Sequence, residues 1–181
     1  RRLQGVFEFT DDPDCVLRLR WTRLAHPLLL SSGSFPAGTD VLEIHLWNEH
    51  VPPLPPAGAD VPWAAQATHR LRRSLAQAAA YVRAQGRGDP AALVAGATIL
   101  ADGTTAGLLL RRLGFELCPR PPSRSMIEHG QNRYALGLMA SFNAPSVRNR
   151  TGAALRRTDL WMPMRVFLDR YAPASGGEDP R

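Results

Sequence analysis

The sequence predicts an α+β domain: a single mixed or antiparallel sheet of about six strands with about three helices packed on it. Two stretches that alternate with period two, one long amphipathic stripe at helical spacing, and a mixed order of elements carry that reading. From Cys15 to Trp21, the residues Cys15, Leu17, Leu19 and Trp21 share one face while Val16, Arg18, Arg20 and Thr22 share the other, as in a half-buried strand. After Leu28 to Leu30, the stretch Ser31 to Asp40 holds two glycines and a proline and reads as turns around a short crossing. A second strand over Val41 to Glu49 points Leu42, Ile44 and Leu46 one way and Glu43, His45 and Trp47 the other.

Pro52-Pro53-Leu54-Pro55-Pro56 is a stiff connector that neither element can cross. Asp60 then caps a helix with Pro62 in its first turn. Ala67, Leu71, Leu75, Ala78 and Val82 make its apolar stripe, Gln66, Arg70, Arg73 and Gln77 the opposite one, and Gly86-Arg87-Gly88-Asp89-Pro90 stops it. Leu93 to Leu100 is apolar without alternation, the pattern of a strand covered on both faces. Asp102-Gly103-Thr104 supplies a turn and cap for a short helix bearing Ala106, Leu109, Leu110 and Leu113, which Gly114 ends in a left-handed conformation before a strand from Phe115. Arg120 to Gly130 reads as a loop, Tyr134 to Phe142 as a strand, and Asn143 to Arg157 as a long polar loop. Leu160-Trp161-Met162 closes the sheet, and Pro163 starts a last helix with Met164, Phe167, Leu168 and Tyr171 on its apolar face. The domain spans 1–172, and 173–181, all small, proline or charged, reads as a disordered tail.

With 181 residues, 44% apolar and 21% charged, the chain can bury a real core and fits one domain better than two. The formal charge is +6, and all 22 basic residues are arginine. Arginine is the better bidentate partner for phosphate or carboxylate, but a chain with no lysine and abundant Ala, Gly and Pro also reads as the product of a GC-rich coding bias. Cys15 and Cys118 form no CxxC pair, which excludes zinc-ribbon and thioredoxin-type motifs and any disulfide framework. The longest nearly unbroken apolar run, Leu93 to Ala101, is about half of the ~20 residues a membrane-spanning helix needs. Arg1-Arg2-Leu3 lacks an initiator methionine and an apolar signal core, so compartment and any preceding domain stay open.

The candidate catalytic or metal cluster is Glu43, His45 and His50, with Asn48 and Glu49 beside it. Two carboxylates and two imidazoles can act as acid and base or hold a divalent metal, with Asp40 or Asp60 as a further acid. The competing reading pairs this strand with Cys15 to Trp21, so that Glu43 meets Arg18 and Arg20 in cross-strand ion pairs. The HExxH spacing is absent, and no metal or cofactor is assigned. Asn48 shares the phase of Leu42, Ile44 and Leu46 and is expected to face inward and tie down the following loop, with ligand contact as the other reading. Arg148, Arg150, Arg156 and Arg157, in a loop with no acid until Asp159, are the candidate anion-binding residues, against solvation as the bland outcome. No stacking platform, helix-turn-helix or zinc module is present, so no specific nucleic-acid binding is expected. Ser141 lacks a nucleophile elbow, and Cys118 has no nearby histidine in sequence.

Ser32 to Asn48 resembles the turn, Gly-x-Asp, then apolar-x-Ile-His-Leu-x-Asn segment of YkoP-like proteins. Leu113-Gly114-Phe115-Glu116 is similar to that family's mid-chain Leu-Gly-Phe-Glu, and Leu160-Trp161-Met162 with Phe167-Leu168-Asp169-Arg170-Tyr171 to its closing strand and helix. The resemblance covers nearly the whole chain. It implies a small domain that occurs alone or with a polysaccharide deacetylase domain, hence an accessory role in cell-envelope polysaccharide metabolism with a glycan or other anionic ligand. Arg83-Ala84-Gln85-Gly86-Arg87-Gly88 also resembles the Arg-x-x-Gly-x-Gly motif of acetyl-CoA-dependent N-acyltransferases, where backbone amides at a helix start hold a pyrophosphate. Here the motif ends a helical segment instead of opening one, so the acyltransferase stands second.

Overall fold

The computed structural model describes residues 5–53, 55–56, 60–98, 104–119 and 157–172, with no side chains for 104–106. Period-two alternation folds as expected at the start of the chain. In β1 (Leu17–Arg23), Leu17 and Leu19 are buried while Arg18 and Arg20 stand on the other face. It pairs antiparallel with β4 (Asp40–Leu46), placing Leu19 opposite Ile44, Arg18 opposite His45 and Arg20 opposite Glu43. Between them, β2 (Leu28–Leu30) and β3 (Gly33–Phe35) form a separate two-stranded sheet.

The long amphipathic stretch is α1 (Val61–Ala84). Asp60 caps it by accepting a 2.8 Å hydrogen bond from the Trp63 amide, and Pro62 sits in the first turn, where its missing N–H has no intrahelical partner to lose. Leu75, Ala78, Ala79 and Val82 face the core. After α1 come β5 (Leu93–Thr98), α2 (Thr104–Arg112), β6 (Glu116–Pro119), β7 (Thr158–Pro163) and α3 (Met164–Tyr171). The five-stranded sheet runs β1-β4-β5-β7-β6, with β4 and β5 parallel across the α1 crossover and the other pairs antiparallel. With a mixed sheet and three α-helices described, the fold is α+β.

One face of the sheet packs Leu19, Leu42, Val94 and Met162 against Leu75, Val82 and Phe167 of α1 and α3 in the main core. Burying each such large side chain contributes roughly 1.5–3 kcal/mol. The opposite face carries a smaller cluster in which Val41, Leu93 and Ala95 meet Leu28, Leu30 and Phe35 of the hairpin. Strand β5 is therefore covered on both faces at Leu93 to Ala95, matching its lack of alternation.

Three expectations change. The second strand stops at Leu46, which is 49% exposed, instead of Glu49: the Trp47 amide makes one more bond, to the Val16 carbonyl, and the chain then turns into the 3-10 turn that the His50 amide closes on the Trp47 carbonyl. Asn48 consequently lies in a 3-10 turn (Asn48–His50), half-buried, and its backbone carbonyl, not its amide side chain, accepts a bond from Val51 N. Leu160-Trp161-Met162 does not border the sheet: β7 is flanked by β5 and β6. The polar stripe of α1 has partners of its own: Arg70, Arg73 and Gln77 clasp Asp12 and Asp14 of the N-terminal segment. The strand expected at Tyr134 to Phe142, the loops on either side of it up to Arg156, and the tail lie outside the described residues.

Candidate functional site

The cluster that the sequence marks most strongly, around Glu43 and His45, sits on the polar face of β1 and β4. Cross-strand register delivers Arg20 to Glu43: its Nε donates to Oε2 at 2.7 Å and a second guanidinium nitrogen approaches at 2.6 Å. His45 Nε2 lies 3.3 Å from the same oxygen. The His45 hydrogen bond, assisted by the Arg20 charge, holds the Glu43 carboxyl below the ordinary carboxylate range against the opposing effect of burial.

Farther along the same face, Arg18 lies 4.2 Å over the Trp47 ring and reaches Glu8 at 3.1 Å and Glu49 at 3.5 Å. The other side of Trp47 stacks on His50 with centroids 3.7 Å apart, while Trp47 Nε1 donates to Glu49. His50 Nδ1 is within 2.8 Å of the Cys15 carbonyl oxygen. Its imidazole is thus placed by a backbone contact and a stack, away from the Glu43–His45 pair in the bonding pattern. Asp40 pairs with Arg23 and Asp60 caps α1, so the proposed extra acids are engaged elsewhere. Among the described residues no three His, Cys, Asp or Glu side chains converge on a metal position. What this arrangement does chemically is neutralise itself and pin β1, β4 and the 3-10 turn together.

Neither cysteine is placed as a nucleophile. Cys15 is buried and its thiol donates to the Leu17 carbonyl. Burial, with Glu116 and Asp159 nearby, pushes the Cys118 thiol up, keeping it protonated and unreactive at neutral pH. Both are free thiols.

A different site forms where α1 ends. Gly86 has φ +64°, Gly86 N donates to the Arg83 carbonyl and Arg87 N to the Val82 carbonyl, the paired bonds of a Schellman cap. Those amides are committed to the helix and are not available to cradle a pyrophosphate. Gly88 has a packing reason of its own: a Cβ there would sit 2.7 Å from Leu168 of α3. The turn places Arg83, Arg87 and Asp89 around an open cleft of about 750 Å³, completed by Trp21, Asp40 and Leu168. Arg87 lies 4.7 Å over the Trp21 ring. Among the described residues, neither Arg83 nor Arg87 has a carboxylate within ion-pair distance, and Trp21 Nε1 is buried with no hydrogen-bond partner.

Of the residues expected to bind an anion, Arg157 pairs with Asp159 at 3.9 Å, while Arg148, Arg150 and Arg156 lie outside the described residues. Sequence reasoning identified the Arg83 to Gly88 segment but set it down as a helix terminator, and missed Trp21 and Asp40 as its neighbours. The available signal was the pair of arginines bracketing a helix stop with no acid until Asp89. No protein-family model, no curated protein and no solved structure matches this chain.

Proposed function

We propose that this chain is a non-catalytic accessory module of the YkoP-like type, holding an anionic ligand in the Trp21–Arg87 cleft in the service of cell-envelope polysaccharide metabolism. The observation that carries this reading is a placement: Arg83 and Arg87 line one open cleft beside the Trp21 indole, and neither meets a carboxylate within ion-pair distance among the described residues. Unpaired guanidinium forks beside an indole suit a planar anion carried on a larger, partly apolar ligand. Envelope glycans fit that description, and the YkoP-like motifs, with their link to polysaccharide deacetylase domains in cis or in trans, favour them. An acetyl-CoA-dependent acyltransferase role has less support, because the Gly86 and Arg87 amides that would help hold the cofactor already bond to α1.

Thermal unfolding in the presence of acidic glycan oligomers, matched neutral oligomers and acetyl-CoA tests the proposal. Saturating acidic oligomer at a hundredfold excess over its Kd is expected to raise Tm by roughly 5–10 °C, with the neutral oligomer inert. A saturable shift with acetyl-CoA and none with glycans would overturn the reading.

A further inference from the structure

We infer that the ligand is a sugar acid with a single charge per unit: a pyranose bearing one carboxylate, as in the hexuronate of an acidic polysaccharide. This inference rests on the reading of the cleft as an anion site and narrows it. The charges in the cleft balance: Arg83 and Arg87 stand with Asp40 and Asp89, and Asp40 is shared with Arg23 at 3.4 Å. A nucleotide or other polyphosphate would bring two or more negative charges against those two carboxylates, a repulsion the arginines only partly offset.

A monoanion with several hydroxyls meets every group instead. One planar carboxylate engages the guanidinium forks. Hydroxyl donors find acceptors in Asp89, whose Oδ1 takes only the Ala91 amide, and in Asp40. Trp21 and Leu168 give the apolar face of a sugar ring a surface to pack on. Arg87 now lies over the indole, so its transfer to the carboxylate uncovers the ring on which the sugar settles.

Calorimetric titration of the full chain with trigalacturonate, its methyl ester, glucose 1-phosphate and inorganic phosphate tests this, using wild type, Arg83→Gln, Arg87→Gln and Trp21→Phe. Because Trp21 also packs on the main core, each variant's melting curve is recorded first, and the two arginine variants test the site without touching that core. Trigalacturonate is expected to bind, the methyl ester to bind about tenfold or more weaker, and Arg83→Gln and Arg87→Gln each to cost about tenfold. Equal binding of acid and ester overturns the carboxylate assignment. Binding of the phosphates without trigalacturonate overturns the sugar-acid inference while the anion-site reading stands. Binding of none of the anions overturns both.

Discussion

Arginine lies over tryptophan twice in this molecule, and the two pairs live in opposite surroundings. Arg18 over Trp47 is held by Glu8 and Glu49, with His50 closing the far side of the indole. Arg87 over Trp21 has no carboxylate partner among the described residues and borders an open cleft. In the first, the guanidinium charge meets two carboxylates and the indole is covered on both faces, although Arg18 Nε is buried without a hydrogen-bond acceptor among the described residues. The second leaves two guanidinium forks without carboxylates among the described residues at the rim of a cleft, which is what an anion site needs before its ligand arrives. Residue type does not separate the two regions; the supply of neighbouring partners does.

The comparison breaks most readily on the sheet face. Glu43→Ala leaves Arg20 half-buried without its carboxylate and is expected to lower stability by about 1–2 kcal/mol, read as a shift in urea midpoint at unchanged slope. A loss smaller than the scatter of surface substitutions would mean that the network does not hold the strands. At the cleft the backbone matters more than the arginines do. Gly86→Ala forces a side chain into φ +64° and is expected to cost about 1 kcal/mol by the same measurement.

Acid sharpens the contrast further. Glu43 is held below its ordinary value chiefly by His45, and Asp12 chiefly by the Asp14 amide with Gln77. A carboxyl with a depressed folded-state pKa contributes stability that is present above its unfolded pKa and lost as pH falls through the folded one. Melting temperature should therefore drop as pH falls through and below the usual carboxylate range, and both Glu43→Gln and Asp12→Asn should flatten that drop. The smallest effect belongs to Arg83→Gln and Arg87→Gln, each expected to change stability by less than about 0.5 kcal/mol because neither breaks an ion pair among the described residues.

Much of the scaffold is readable in the sequence because its determinants are local. Leu17 and Leu19 alternate with Arg18 and Arg20, and a partner strand carrying Glu43 and His45 fixes both the register and the ion pairs. Asp60 and Pro62 mark where α1 begins, and Gly114, at φ +97°, marks where α2 has ended. The end of β4 is not readable, because alternation continues through Asn48 while the backbone pairing gives out after the bond from Trp47 N to the Val16 carbonyl. Nor is the interior place of β7, which depends on strands Glu116–Pro119 and Leu93–Thr98 meeting it from both sides. The cleft is hidden for the same reason: Trp21, Asp40, Arg83 to Asp89 and Leu168 come from separate segments that only the tertiary fold brings together. The residues that looked most chemical, Glu43, His45 and His50, were conspicuous because they sit close in sequence, and that closeness serves the sheet and the turn.

The central claim is that the charges of the sheet face pair with one another and that the cleft is the place a ligand enters. Backbone amide NMR spectra of the ¹⁵N-labelled chain, recorded while trigalacturonate is titrated in, test it most directly. The account predicts saturable shifts at Trp21, Arg83, Arg87, Gly88 and Leu168, with Arg18, Glu43, His45 and Trp47 unmoved. Shifts centred on Glu43, His45 and Trp47 with the cleft silent would contradict it.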